Sequence, residues 1–368
     1  MNDDGQKRKV KDQDQIDWNR ITRVLIVRLR SIGDTVLATP SLIALKRFLP
    51  NAYVDILLED WVAPVLDGFD AVDNVLTVGK SFSERVGTAF AVRRRKYDVV
   101  FNLHGGSTST FLTYATGARH RVGYSNYRYS FLYTDLLSSS SDFWKKEFTH
   151  SAEQQLALLG HAGVPVEPAP FSRLCIDPAS ERSLYAKLAH LKFDPDERFA
   201  VIHPLAAFDS KRWSPEKFAE VIGELAKRGV KSIAVGSTQE KAELESLKTL
   251  CKVPFSVSGD INLPETTALL ARSSLFVGND SGIAHMAAAM KVPSVVIFGS
   301  MDRNHWYPWT DSPNEMVFDV LPCQPCPGYE CKVFGDPKCI KSVSVEQVIA
   351  AIERVHSGRW PVGGEGKK

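Results

Sequence analysis

FVGNDSGIAHMAAAMKVPSVVIFGS, residues 276–300, is the stretch on which the fold turns. Leu275, Phe276 and Val277 form a short apolar run of strand type, and Gly278-Asn279-Asp280-Ser281-Gly282 turns it into an Ala-rich helical segment. Gly278 and Gly282 permit close backbone approach, and Asp280 or Ser281 is positioned to cap the helix. A helix start presents unpaired N–H groups and the positive end of the helix dipole, so a phosphate is stabilised there without a lysine. His285 falls about one turn into the helix, facing the same mouth. Lys291-Val292-Pro293 then leads to a second strand at 294–298, completing a β-turn-α-β unit whose crossover is right-handed by default. The turn lacks the spacing of a P-loop or of G-x-G-x-x-G, so taken alone it is equally the plain junction of any α/β protein.

The same grammar recurs upstream. Residues 199–202 read as a strand and 203–213 as a loop. Ser214-Pro215 opens a helix that carries Phe218, Val221, Ile222 and Leu225 on one face, and 231–235 is the next strand. In the first half RVLIVRL, 23–29, is a buried-strand pattern ending in the turn Arg30-Ser31-Ile32-Gly33-Asp34, where an open α/β sheet keeps its ligands. Asp34 at this strand-to-helix junction is either an N-cap or a group facing the ligand edge. Residues 35–49 read as a helix that Pro40 kinks or shortens. Strands follow at 53–58, 74–78 and 98–103. The last runs into His104-Gly105-Gly106-Ser107, a second glycine loop on the same edge, which suggests a cleft; the ordinary job of a lone His104 is to satisfy local backbone. Residues 110–133, rich in Tyr, Arg and Ser, form an acceptor wall or a polar surface, and 150–160 is helical. A proline-rich break at 165–196 divides the chain into domains at 21–185 and 186–345. A closing helix follows at 345–357, with Ser344 and Gln347 as its capping box, and then a tail at 358–368.

At 368 residues, 44% hydrophobic and 24% charged, the composition is that of a two-domain globular protein. It contains no apolar run of about 18 residues to span a membrane. The first 20 residues are charged and lack the apolar core of a secretory signal, so they read as a disordered leader on a cytoplasmic protein; its Asp12-Gln13-Asp14 only superficially resembles a metal motif. A net charge of +2 announces no nucleic-acid footprint. Residues 71–150 nevertheless carry eleven Lys/Arg against six Asp/Glu, suiting an anionic partner, although Arg93–Lys96 by itself reads as a solvated helix face. Cys323, Cys326, Cys331 and Cys339, spaced C-x2-C-x4-C-x7-C in a Pro/Gly-rich loop, are either reduced thiols or candidate ligands of a structural metal.

Three stretches together narrow the reading. RVLIVRLRSIGDTVLATPSLIALKRFLPNAYVDIL resembles the N-terminal signature of the family 9 glycosyltransferases, the ADP-heptose:lipopolysaccharide heptosyltransferases. FVGNDSGIAHMAAAMKVPSVVIFGSMDRNHWYPW resembles their C-terminal signature, and IHPLAAFDSKRWSPEKFAEV looks like the loop and helix that open their donor domain. The likeness runs in order from about residue 21 to 355, and KKEFTHSAEQQLALL is most similar to the heptosyltransferase III branch. It implies an α/β protein of GT-B architecture, two Rossmann-like β/α/β domains facing a central cleft.

The resemblance also assigns roles. Asp34 matches the catalytic aspartate, which deprotonates an acceptor hydroxyl as it attacks the anomeric carbon of ADP-L-glycero-D-manno-heptose with inversion. Lys211 matches the lysine near the phosphates, and Asp280, Ser281, Gly282 and His285, with Gly278, match the donor motif. Gly33, His104 and Gly105 fall in the acceptor-side loops. Neither a cofactor nor a metal is then required. The implied acceptor is the lipid A-core, met at the cytoplasmic face of the inner membrane by the basic segment 71–150, with peripheral contact to the anionic leaflet and no nucleic acid. Asp280 pointed at a diphosphate would repel it, so a sugar hydroxyl or the helix cap is its expected partner. His203-Pro204 is followed by Leu205, Ala206, Ala207 and Phe208 where the family often has Gly, a bulkier loop that leaves the donor's identity open. The rival readings are a GT-B enzyme with another donor, a sugar-nucleotide epimerase, and a non-catalytic nucleotide-sugar-binding protein.

Overall fold

The computed structural model describes residues 15–326 and 330–356. In its first half, β1 (Arg23–Val27), β2 (Tyr53–Glu59), β3 (Asn74–Val78), β4 (Val99–Asn102), β5 (His120–Tyr124) and β6 (Asp135–Leu137) form one sheet in the order β3-β2-β1-β4-β5-β6. In the second, β7 (Phe199–His203), β8 (Lys231–Val235), β9 (Ser256–Ser258), β10 (Leu275–Asn279), β11 (Ser294–Ile297) and β12 (Asn314–Val317) repeat that order as β12-β11-β10-β7-β8-β9. Every pairing is parallel. The expected α/β class with two Rossmann-like domains is therefore observed.

The central strands are apolar on both faces because helices cover both faces. In β1, Val24 and Ile26 join the larger core and Leu25 and Val27 the smaller one beneath the Phe82–Arg94 and Ser107–Ala115 helices. Pro40 shortens rather than kinks its helix: the expected 35–49 element is two helices, Ile32–Val36 and Thr39–Phe48, with Pro40 in the first turn of the second. Pro215 opens the Pro215–Lys227 helix, and Ser344 and Gln347 form the expected capping box.

Two expectations shift. Most of the leader, Asp12-Gln13-Asp14 included, lies outside the described residues, as does the 358–368 tail. Its last residues are packed: Ile16 is buried, Trp18 meets Phe48 edge-on, and the Trp18 indole N–H donates to the Ala162 carbonyl at 3.0 Å. The division at 185/186 falls inside a continuous helix, Pro178–His190. That helix packs on Leu263–Arg272 through Lys187–Glu265 at 2.8 Å and Arg272–Glu181 at 2.9 Å, so it goes with the second sheet. The chain just before it stays with the first, where Arg173 pairs with Asp70 and its N–H donates to Thr39 Oγ1.

The halves meet along two seams. At one the larger core runs through, joining Leu66 and Phe69 to Leu184, Leu188 and Leu269. At the other seam His150 stacks on Trp309 with centroids 4.7 Å apart and bonds the Tyr307 carbonyl through Nε2 at 2.9 Å, and the Trp309 indole donates to the Pro170 carbonyl at 2.9 Å. Between the seams the carboxyl edges of β1 and β4 face those of β7 and β10, and the Ile32–Val36 helix lies against the start of Gly282–Ala289.

Candidate active site

On the first domain's side the site begins where β1 ends. Arg28 is buried; its Nη1 donates to the Leu103 carbonyl at 2.9 Å, and its Nη2 pairs with Asp34 Oδ1. The other Asp34 oxygen accepts the Ser31 N–H at 3.2 Å and the Ser31 hydroxyl at 2.9 Å. Burial pushes the Asp34 carboxyl up, but the Arg28 guanidinium and the two Ser31 bonds outweigh it and hold the pKa below the usual carboxylate value. Asp34 is thus an ionised carboxylate in the first helical turn.

His104 stands 3.4 Å from Arg28 Nη1 through Nδ1. Burial and the Arg28 charge push its pKa down to about 4, so it is neutral near pH 7 and steadies Arg28. The loop carrying it hangs on Asn102 at the end of β4, whose Oδ1 accepts the N–H of His104 at 2.9 Å and of Gly105 at 3.1 Å. Asn102 Nδ2 donates to Tyr133 Oη at 2.6 Å. Gly105 adopts φ 78°, and a Cβ there would lie 2.4 Å from the Tyr127 ring. Part of the Tyr/Arg/Ser-rich stretch therefore underpins the cleft loop instead of forming an open wall.

In the second domain, Asn279 at the end of β10 plays the part of Asn102. Its Oδ1 accepts the Trp213 N–H at 3.1 Å and its Nδ2 donates to the Pro204 carbonyl at 2.7 Å, tying down both ends of the 203–213 loop. Within that loop, Ser210 Oγ accepts the Ser300 hydroxyl at 3.1 Å, and Lys211 Nζ meets Asp280 Oδ2 at 2.7 Å with both side chains nearly buried. Asp280 thus does not cap the helix, and one of its oxygens holds Lys211. Ser281 is the N-cap residue but makes no cap bond, leaving its buried hydroxyl without a partner. His285 is buried with Nδ1 likewise unpartnered; burial lowers its pKa against the opposing pull of Asp280 and Asp34. Gly278 serves packing, since a Cβ there would meet the Phe276 ring at 2.7 Å and the His203 carbonyl at 2.9 Å. Leu205 and Ala206, the bulkier residues of the loop, are buried in the domain, and His203 bonds the Val235 carbonyl through Nδ1 at 2.9 Å.

Gly33 and Gly282 bring the halves of the site together. A Cβ on Gly282 would lie 2.9 Å from Ile32 Cβ and 3.2 Å from the Gly33 nitrogen, and one on Gly33 would lie 2.7 Å from the His285 ring. Buried polar atoms without partners collect around this contact, at Arg28 Nε, Thr35 Oγ1, Ser281 Oγ, His285 Nδ1 and Gln155 Oε1. Gln155 also donates weakly, at 3.5 Å, to the Asp34 carbonyl. Such orphaned groups are costly in a folded interior and suit a site built to receive a polar ligand.

The cysteine spacing does not assemble a metal centre among the described residues, where no group of three or more His, Cys, Asp or Glu is placed to hold an ion. Cys339 is buried, and its thiol is pushed up by burial and by the neighbouring Cys323 and Cys331. The cysteine loop instead props the 203–213 loop: the Cys326 N–H donates to the Ser300 carbonyl at 2.7 Å, and Ser300 holds Ser210.

Asp34, Lys211, Asp280, Ser281, Gly282, His285, Gly33 and His104 all lie around the contact of Gly33 with Gly282. Sequence reasoning missed Arg28, Ser31, Asn102, Asn279 and Gln155. For Arg28 a signal existed, a lone charge closing the apolar run of β1 just before the turn.

A model of glycosyltransferase family 9 (heptosyltransferase) matches residues 88–335. Lipopolysaccharide heptosyltransferase 3 of Escherichia coli K12 is 28% identical over 363 residues, covering 89% of this chain and 96% of that one. Two solved structures share the fold. The family 9 glycosyl transferase of Veillonella parvula superposes with TM-score 0.78 at 19% identity, covering 91% of this chain and 97% of that one. The E. coli ADP-heptose lps heptosyltransferase II superposes with TM-score 0.76 at 18% identity, covering 91% and 98%.

Proposed function

The chain belongs to glycosyltransferase family 9 and is a heptosyl-transferring enzyme of GT-B architecture, and from that premise we propose that it transfers L-glycero-D-manno-heptose from ADP-heptose to a hydroxyl of the lipopolysaccharide inner core with inversion. The observation that supports the reading is the contact of Gly33 with Gly282, on either side of which lie Asp34 and the Lys211–Asp280 pair. A binding protein needs no carboxylate across from its nucleotide pocket. A transferase does.

In this mechanism the acceptor oxygen attacks the anomeric carbon in line with the departing ADP. As the new C–O bond forms, the acceptor proton passes to Asp34, and the electron pair of the broken bond leaves on the β-phosphate. An ionised Asp with a lowered pKa is a weak base, so it acts late, when the attacking oxygen has become acidic. Negative charge growing on the diphosphate is met by Lys211 and by the N–H groups at the start of the Gly282–Ala289 helix, a preorganised electrostatic stabilisation. The arriving diphosphate competes with Asp280 for the Lys211 ammonium, so Asp280 holds the lysine in place until the donor arrives. These groups supply the positive charge that a divalent cation supplies elsewhere, and chelation should leave the rate unchanged.

Asp34→Ala tests the reading. Donor affinity, measured calorimetrically with ADP-heptose, is expected to stay within about threefold of wild type, while transfer falls by about 10²-fold or more. Undiminished transfer removes Asp34 as the base, and binding of a UDP-sugar in preference to ADP-heptose overturns the donor.

A further inference from the structure

The Phe82–Arg94 helix buries only Val92 fully, although it runs for 13 residues. Phe82 and Phe90 turn outward, 83% and 65% exposed, and Ala91 joins them. The Ser107–Ala115 helix packs beside it and also shows its aromatics to solvent: Phe111 and Tyr114, three positions apart, share its outer face. Beyond it the loop after β5 carries Tyr129 and Phe131, edge-to-face at 6.3 Å with Phe131 79% exposed, and is tied to this helix by the Thr110 hydroxyl donating to the Arg128 carbonyl at 3.3 Å. Six large aromatics thus stand 44% to 83% exposed on this helix pair and its adjoining loop, the cover being counted among the described residues.

Their setting is basic. Arg128 lies 5.1 Å from the Tyr129 ring centroid and Arg121 5.8 Å from that of Tyr114. Arg93 and Arg94 are exposed at the end of the first helix, within the segment holding eleven Lys/Arg against six Asp/Glu. Exposed aromatics ringed by arginines match the interfacial zone of a bilayer with anionic headgroups: the rings enter the headgroup layer and the cations meet lipid phosphate. The patch also adjoins the cleft, since the Ser107–Ala115 helix starts directly after the His104–Gly106 loop and Tyr127 of the adjoining loop covers Gly105.

We propose that this aromatic and basic face docks the enzyme on an anionic phospholipid bilayer, with the acceptor side of the cleft held at the membrane surface. The inference names the docking residues for the lipid-linked acceptor proposed above and rests on that reading for its purpose, though not for its test.

Cosedimentation of the full-length protein with vesicles of phosphatidylethanolamine and phosphatidylglycerol, and with phosphatidylcholine alone, provides that test. Wild type is expected to bind the anionic vesicles preferentially. Phe82→Ser/Phe90→Ser/Phe131→Ser should reduce the bound fraction about tenfold or more, and Arg94→Glu/Arg128→Glu should lose binding to the anionic vesicles in a manner that salt mimics. Both variants are expected to transfer heptose to a delipidated core oligosaccharide at the wild-type rate. Equal binding to both vesicle types, or undiminished binding by the aromatic variant, overturns the proposal. So does a wild-type dimer in sedimentation velocity that the aromatic variant abolishes, because the face then covers a second copy. Vesicle binding as expected with no transfer by any of the proteins removes the acceptor reading and leaves the docking face standing.

Discussion

Burial alone would raise the Asp34 carboxyl, so its depressed pKa is owed to Arg28 and Ser31, and removing Arg28 should reverse the balance. Arg28→Met is therefore expected to move the acid limb of kcat/KM upward: wild type holds its activity from pH 7 down toward 5, whereas the variant loses activity as pH falls through the raised value. The sign follows from the proposed role of base, which works only when deprotonated. A profile unchanged between the two proteins means that Arg28 does not tune Asp34. The same depression contributes stability that is present above the unfolded carboxyl value of 3.8 and lost as pH falls through the lower folded one. The place of Asp34 at a strand-to-helix turn was legible in the sequence, but its partners Arg28 and Ser31 were not. The partnership of Asp280 with Lys211 was not, because 69 residues separate the two and only the closed tertiary structure makes them neighbours.

Local periodicity located most of the strands and the helices flanking the cleft, since strands buried on both faces read as apolar runs and Pro215 and Ser344 mark helix starts. What it lacked were the ties between elements. Asn279 at a strand end looks like any turn residue, yet its bonds reach across 66 and 75 residues to hold the 203–213 loop. Asn279→Ala leaves the Trp213 N–H and the Pro204 carbonyl unpaired in the interior, a cost of about 1–3 kcal/mol, and frees the loop that carries Lys211. ADP affinity by calorimetry should fall about tenfold, with the KM for acceptor little changed. An unaltered ADP affinity would show that the loop holds its shape without that tie.

Four histidines are kept neutral inside the folded molecule, each chiefly by burial: His104 with its pKa lowered to about 4, His150 to about 3, and His203 and His285 lowered as well. Unfolded, each titrates near 6.5, so the unfolded chain takes up more protons as pH drops from about 6.5 toward 4, and stability falls across that window. Urea unfolding at pH 7.5 and pH 5 should show the loss, and equal midpoints would contradict the neutral burial of these rings. His150 also sits in the seam with Tyr307 and Trp309, so acid should weaken the join between the domains along with the domains themselves. The two-domain plan was readable from the repeated β/α pattern, but the place where the chain changes domain was not, because the proline-rich break spans both sides of the Pro178–His190 helix. The contact of Gly33 with Gly282 has one more consequence, for genetics. A bulkier residue on one side of an interface is usually rescued by a smaller one opposite, but here neither member has a side chain to give up. A screen for suppressors of Gly282→Ala should therefore return glycine itself or changes in Ile32 and at the domain seams, and never a substitution at Gly33.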